Sequence, residues 1–122
     1  MPVTWSISHD DRIVLVAAEG DVAFENMDEC LAAMAAAGAI PYRKLFDMTY
    51  LAPDALRFAD FKALGRKVVA LANEGTVGPI AIVVGSDLLH EMAELYGQAK
   101  VGRALAIFSD RQKAREWLDG LV

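Results

Sequence analysis

Residues 13–49 read IVLVAAEGDVAFENMDECLAAMAAAGAIPYRKLFDMT, and their order decides the fold. IVLVAAEG is a largely apolar run that suits a deeply buried strand. In AFENMDECLAAMAAAG, Met27, Cys30, Leu31 and Met34 recur at helical spacing, and alanine favours helix throughout. Gly38 fits the helix C-terminal cap and Pro41 lies just beyond it. YRKLFDMT is then a second strand. Strand, helix, strand within this length implies two parallel strands joined by a crossover.

Working outward, VTWSIS (residues 3–8) alternates, with Val3, Trp5 and Ile7 on one side and Thr4, Ser6 and Ser8 on the other. It reads as a half-buried edge strand, joined through the polar turn HDDR to residues 13–20 as a hairpin. DFKALGRKVVALANEG places Phe61, Leu64, Val68 and Leu71 on one helical stripe, with Asp60 as expected N-cap and Gly75 as stop. PIAIVVG is continuous and β-branched, as in a central strand covered on both faces. SDLLHEMAELYGQAK is helical, with Leu88, Met92, Leu95, Tyr96 and Ala99 apolar. RALAIF is the last strand. SDRQKAREWLDGL opens with Ser109 and Gln112 at capping-box spacing and carries Ala114, Trp117, Leu118 and Leu121 on its apolar stripe. The order is ββαβαβαβα: an α/β fold, one domain over residues 1–122. A mixed, mostly parallel five-stranded sheet is packed with four helices, its first strand antiparallel. Strand order beyond the first hairpin stays open.

The chain has 122 residues, 55% of them hydrophobic, enough to build a core without disulfide staples. Its one cysteine, Cys30, lies on the first helix's apolar stripe and reads as an inert buried thiol. The net charge of −5, with dispersed cations, argues against nucleic acid as a partner. Lys62, Arg66 and Lys67 read as a solvated helix face. The N-terminus lacks the basic and apolar regions of a signal peptide, and no segment reaches the roughly 18 apolar residues of a membrane span, so the cytoplasm is the expected location.

In mostly parallel sheets, ligands gather beyond the carboxyl ends of the strands. Here those ends are Glu19–Asp21, Asp47–Tyr50, Gly85–Asp87 and Ser109–Asp110. No catalytic constellation stands out among them. Ser86 follows Gly85 directly, so VVGSD lacks the G-x-S-x-G nucleophile elbow, and Ser86 and Asp87 read as helix caps. The helix start there, with Gly85 allowing close approach, is a conceivable small-anion site. His90 falls in that helix's first turn, and His9 in a solvated hairpin turn. Neither joins a metal-ligand pattern, so no metal and no cofactor is expected. Asp47 and Asp87 stand near strand ends, and convergence of the pair is an open question for the sequence. The candidate binding residues are Asp47, Thr49, Tyr50, Ser86, Asp87, His90 and Tyr96.

LVAAEGDVAFENMDECLAAM resembles the strand, Gly-Glu/Asp, helix opening of STAS domains, the anti-sigma-factor-antagonist fold. YRKLFDMTYL resembles their next strand, and GPIAIVVGSDLLHEMAELYG the following strand and helix. Taken together, the chain resembles the SpoIIAA-like, STAS/SEC14-like group of small bacterial proteins. The resemblance implies a regulatory module in which a kinase partner phosphorylates a serine in a D-S-S-G-like turn of a strand-to-helix segment. This chain departs from that pattern. Its turn is LAPDALRFAD, and between Tyr50 and Gly75 there is neither serine nor threonine. Thr49 precedes the turn and does not inherit the phosphosite.

Two functional expectations follow. One is a non-catalytic regulatory or protein-interaction module. The helix of residues 87–100 is apolar over a wide arc (Leu88, Leu89, Met92, Leu95, Tyr96), which suits a second copy of the chain as a homodimer partner. The other, implied by the SEC14-like resemblance, is an apolar or amphiphilic small molecule held among Phe58, Phe61, Met92 and Tyr96.

Overall fold

A hairpin opens the chain. Strands β1 (Val3–Ser8) and β2 (Ile13–Gly20) pair antiparallel, with Val3 opposite Ala18 and Ser8 opposite Ile13. The computed structural model describes residues 2–52, 58–72, 77–87, 90–91 and 105–121. Helix α1 (Phe24–Ala36) follows, then β3 (Arg43–Leu51), α2 (Phe58–Ala72), β4 (Ile80–Val84), β5 (Leu105–Phe108) and α3 (Arg111–Asp119). The sheet runs β1-β2-β3-β4-β5, so space follows sequence, and every pair after the hairpin is parallel.

Parallel neighbours are joined by right-handed crossovers. Because the strand order never reverses, that handedness puts α1 and α2 on the same face. Their core is Met27, Cys30, Leu31, Met34, Leu64 and Val68 against Val14, Val16, Phe46, Met48, Ile80 and Ile82. A smaller cluster on the opposite face packs Ala114 and Leu118 of α3 against Ile13, Leu45, Ala81 and Val83. β4 is buried along its whole length, as its unbroken apolar run implies.

The helix ends follow local chemistry. Gly38 takes φ +70° beyond α1, and the N–H groups of Gly38 and Ala39 donate to Ala35 and Met34, a Schellman ending at the expected glycine. At the other end of α1, the Asn26 side chain accepts from the Ala23 N–H at 2.9 Å. α2 starts at Phe58, so Asp60 is not its N-cap; the carboxylate stands in the first turn, where it still complements the helix dipole. α3 is capped by Asp110 rather than Ser109. The Asp110 carboxylate accepts from Gln112 N–H at 2.8 Å and Lys113 N–H at 3.3 Å, while Gln112 turns to Glu116. A charged acceptor one residue nearer the helix displaces the hydroxyl. α3 stops at Asp119, which leaves Leu121 46% exposed instead of on the buried stripe.

Three helices lie among the described residues, against four expected. Asp87, His90 and Glu91 are helical, and the His90 N–H donates to the Ser86 carbonyl at 3.0 Å. The rest of the expected helix, including Leu88, Leu89, Met92, Leu95 and Tyr96, lies outside the described residues, as does the expected stop at Gly75.

Two charged groups do structural work that composition does not reveal. Lys67 reaches Asp28, tying α2 to α1, so it is not simply part of a solvated face; Lys62 and Arg66 are exposed. Lys44, on β3, is fully buried on the face that α1 and α2 cover. Its ammonium donates to the carbonyls of Ile40 and Tyr42, the latter at 2.8 Å, and so pins the α1–β3 connection onto the strand. Buried carbonyls that lose their donors are costly. Lys44→Met, which keeps the apolar stem and removes the donors, is expected to lower stability by about 1–3 kcal/mol, read as the shift in urea unfolding midpoint.

Candidate functional site

The parallel strands bring Glu19–Asp21, Asp47–Tyr50, Gly85–Asp87 and Ser109–Asp110 to one edge of the sheet, as the chain order implies. β3 carries an irregularity there. Ala17 lies opposite Asp47 but Glu19 opposite Tyr50, so β3 has one residue more than β2. The bulge breaks alternation: Met48 and Leu51, three apart, both join the α1/α2 core. It also folds the strand back on its own aspartate. Asp47 Oδ1 accepts from the Thr49 N–H at 3.1 Å and from the Thr49 hydroxyl at 2.6 Å.

The other carboxylate oxygen is taken from across the sheet. Arg111 Nη1 donates to Asp47 Oδ2 at 3.0 Å, with the Asp47 side chain 14% exposed and that of Arg111 54%. Arg111 is the first residue of α3, where a cation opposes the helix dipole and calls for a compensating anion. Asp47 supplies it. Burial pushes the Asp47 carboxyl up, but the Thr49 hydroxyl and amide and the Arg111 guanidinium together outweigh it and leave the group below its ordinary value. The carboxylate is therefore held ionised and fully engaged, a clamp between β3 and α3 rather than a free acid or base.

Backbone packing fixes the adjoining corner. A Cβ on Gly85 would lie 2.2 Å from the Thr49 carbonyl oxygen, so the end of β4 passes against the end of β3 at a distance only glycine permits. Ser86 is half-buried and Asp87 exposed beside it. Tyr50 projects outward at 73% exposure. Thus Asp47 and Thr49 meet directly, and Tyr50, Ser86 and Asp87 belong to the same sheet edge. His90 lies one helical turn past Ser86, and Tyr96 lies outside the described residues. Asp47 is taken by Thr49 and Arg111; no contact between it and Asp87 is seen. Arg111 is the member that sequence reading missed, although a cation at a helix's first position is the signal that could have found it.

Elsewhere the sequence expectations divide. Cys30 is buried, and burial pushes its thiol up to about 12, which makes it inert at neutral pH. His9 is exposed yet not merely solvated: its Nδ1 and the Tyr42 hydroxyl are 2.7 Å apart, their rings meet edge to face, and the Arg12 guanidinium lies over the same tyrosine ring at 4.9 Å from its centroid. Among the described residues, no three His, Cys, Asp or Glu side chains gather as metal ligands, and no helix is long and apolar enough to cross a membrane.

The family model described as SpoIIAA-like matches residues 13–119, from β2 to the last residue of α3. The chain belongs to the SpoIIAA-like family. A solved structure, an uncharacterized protein with a SpoIIAA-like fold from Shewanella loihica, is similar over 95% of this chain and 91% of its own, with a TM-score of 0.63 and 21% identity. That likeness speaks to the fold alone. No curated protein matches. The STAS-like resemblance read from the strand and helix segments is thereby confirmed, and with it a mostly parallel five-stranded sheet.

The Asp47 clamp has a definite pH signature. With its carboxyl lowered in the folded state, its contribution to stability is present above the ordinary value of 3.8 and is lost as pH falls through the lower, folded-state value. Asp47→Asn is expected to cost about 1–2 kcal/mol at pH 7, and the gap from the parent should close in acid, measured by urea unfolding across pH. Gly85→Ala is expected to cost on the order of 1–3 kcal/mol through overpacking, while Gly120→Ala, whose Cβ would find nothing nearer than 3.5 Å, should change the same midpoint little.

Proposed function

We propose that this SpoIIAA-like protein is a single, non-catalytic regulatory domain of STAS type, acting in the bacterial cytoplasm by binding another protein at the C-terminal edge of its sheet. The observation that carries the reading is the contrast within residues 47–50. Asp47, among the described residues the one strand-end carboxylate buried enough for acid/base work, is saturated by Thr49 and Arg111. Tyr50, three residues on, offers an open aromatic surface. A site with its polar groups already paired and a tyrosine presented to solvent is built for contact.

The rim gives the contact a sign. Glu19, Asp21, Asp87, Glu91 and Asp110 are exposed around Tyr50's edge of the sheet, which favours a partner surface that is basic with an apolar centre. Thr49 uses its hydroxyl on Asp47, and the chain beyond Tyr50 has no serine or threonine up to Gly75, so binding is regulated by something other than phosphate at the family's usual place.

The second reading, an apolar or amphiphilic ligand of SEC14-like type, finds less support. The cavity among Met27, Leu31, Phe46, Met48, Leu64, Val68, Ile80 and Ile82 is apolar but holds only about 30 Å³, the room of a single water rather than an acyl chain. The side chains first expected to line such a pocket, those of Phe58, Phe61, Met92 and Tyr96, lie outside what the structure describes.

A photo-crosslinking amino acid at position 50 tests the proposal in living cells. A discrete protein adduct is expected from position 50 and not from position 10, at the opposite end of the sheet. Exposed charges should matter too: Asp21→Lys combined with Glu91→Lys should reduce the adduct at least tenfold. No adduct at position 50, or equal adducts at both positions, would sink the reading.

A further inference from the structure

β1 is an edge strand, and its hydrogen-bond phase can be read from one contact. The Glu19 N–H donates to the Pro2 carbonyl at 2.9 Å, one step beyond the Val3–Ala18 pair. Residues 2 and 19 are thus a hydrogen-bonded antiparallel pair, and such pairs recur at every second residue. Thr4, Ser6 and Ser8 therefore turn their backbone groups inward to β2. Val3, Trp5 and Ile7 turn theirs outward, away from the sheet. Among the described residues, no hydrogen bond to those outward groups is found.

Natural edge strands are commonly guarded by charge, proline or a bulge. The strand Val3–Ser8 has no charged residue and no proline, and its pairing with β2 runs without a register shift. Its sequence also complements itself. In an antiparallel pair, residues directly opposite share a face. A copy placed with Trp5 opposite Trp5 sets Val3 opposite Ile7 and Thr4 opposite Ser6. Apolar then meets apolar on the α1 face, and hydroxyl meets hydroxyl on the other. The same register makes Trp5–Trp5 and Val3–Ile7 the hydrogen-bonded pairs, so each outward residue both donates and accepts. Face and hydrogen-bond phase both follow from pairing odd positions with odd ones; among the registers of that parity, centring on Trp5 also sets the two tryptophans opposite each other.

We propose that the free edge of β1 is a self-association surface, on which two copies pair antiparallel about Trp5 and join their sheets into one. The twofold axis runs through the Trp5 pair, perpendicular to the sheet, and makes the interface isologous. Trp5 and Ile7, half-buried in one copy, gain cross-strand partners. An exposed trough of about 250 Å³ lined by Thr4, Trp5, Ser6, Leu15, Ala17 and Arg111 includes β1 residues, and pairing about Trp5 would set it beside its symmetry mate.

Sedimentation equilibrium over a wide concentration range tests the proposal, with circular dichroism as the check on folding. The parent is expected to dimerise. Thr4→Lys/Ser6→Lys changes only exposed positions but sets lysine opposite lysine, and should weaken the dimer at least tenfold; Thr4→Glu/Ser6→Glu should do the same, and mixing the two should restore a heterodimer. A second measurement fixes the register without adding charge. Thr4→Cys mixed with Ser6→Cys should cross-link to one another under mild oxidation far faster than either alone, because non-hydrogen-bonded partners approach closely enough for a disulfide. A monomeric parent, a dimer indifferent to the charge variants, or cross-linking without preference for the mixed pair would overturn it.

Discussion

The handedness of the parallel crossover is the constraint on which the other features rest. The three strands β2, β3 and β4 advance in one direction, and right-handed connections place α1 and α2 on a single face. That concentrates the larger core there, around Met27, Leu31, Met34 and Phe46. Among the described residues the opposite face is covered by α3, which packs on Leu45, Ala81 and Val83 but leaves Thr4 and Ser6 exposed. The same geometry gathers the carboxyl ends of β2 to β5 along one edge. The edge proposed for binding, the exposed trough and the β1 edge all follow from this arrangement of strands.

Within that frame, polar groups lock the junctions that apolar packing leaves loose. Lys44 holds the α1–β3 connection by its carbonyls, and Arg43 ties the start of β3 to the hairpin and to α3 through the Asp11 carbonyl at 2.7 Å and Asp119 at 3.0 Å. At the far end of the same strand, Asp47 joins Thr49 and Arg111. β3 is therefore clamped at both ends to α3 on one face, while its middle is buried between β2 and β4. A carboxylate recruited for such a clamp has little freedom for chemistry of its own.

Much of the architecture was legible in the chain. The stripe Met27, Cys30, Leu31 and Met34 is buried as its spacing required, Gly38 ends its helix in the left-handed region, and Ile80–Val84 is a central strand. These features are local, since each is set by side-chain period or by a single residue's backbone freedom. The misses were competitive or long-range. Asp110 outcompeted Ser109 for a cap one residue away, Lys44 was buried through carbonyls contributed by a loop, and His9 met Tyr42 across 33 positions.

The candidate site divides along the same line. Sequence alone determined that Asp47, Thr49, Tyr50, Ser86 and Asp87 stand at strand ends, and that the chain from Leu51 to Gly75 has neither serine nor threonine; alternation and composition carry that information. Only the tertiary structure decided that Arg111, 64 residues away, neutralises Asp47, and that Tyr50 is left to the solvent. Partners across a sheet depend on register, and register here includes a bulge between Ala17 and Glu19 that shifts β3 by one residue. A one-residue shift changes which side chain points where, and no local pattern in the chain reports it.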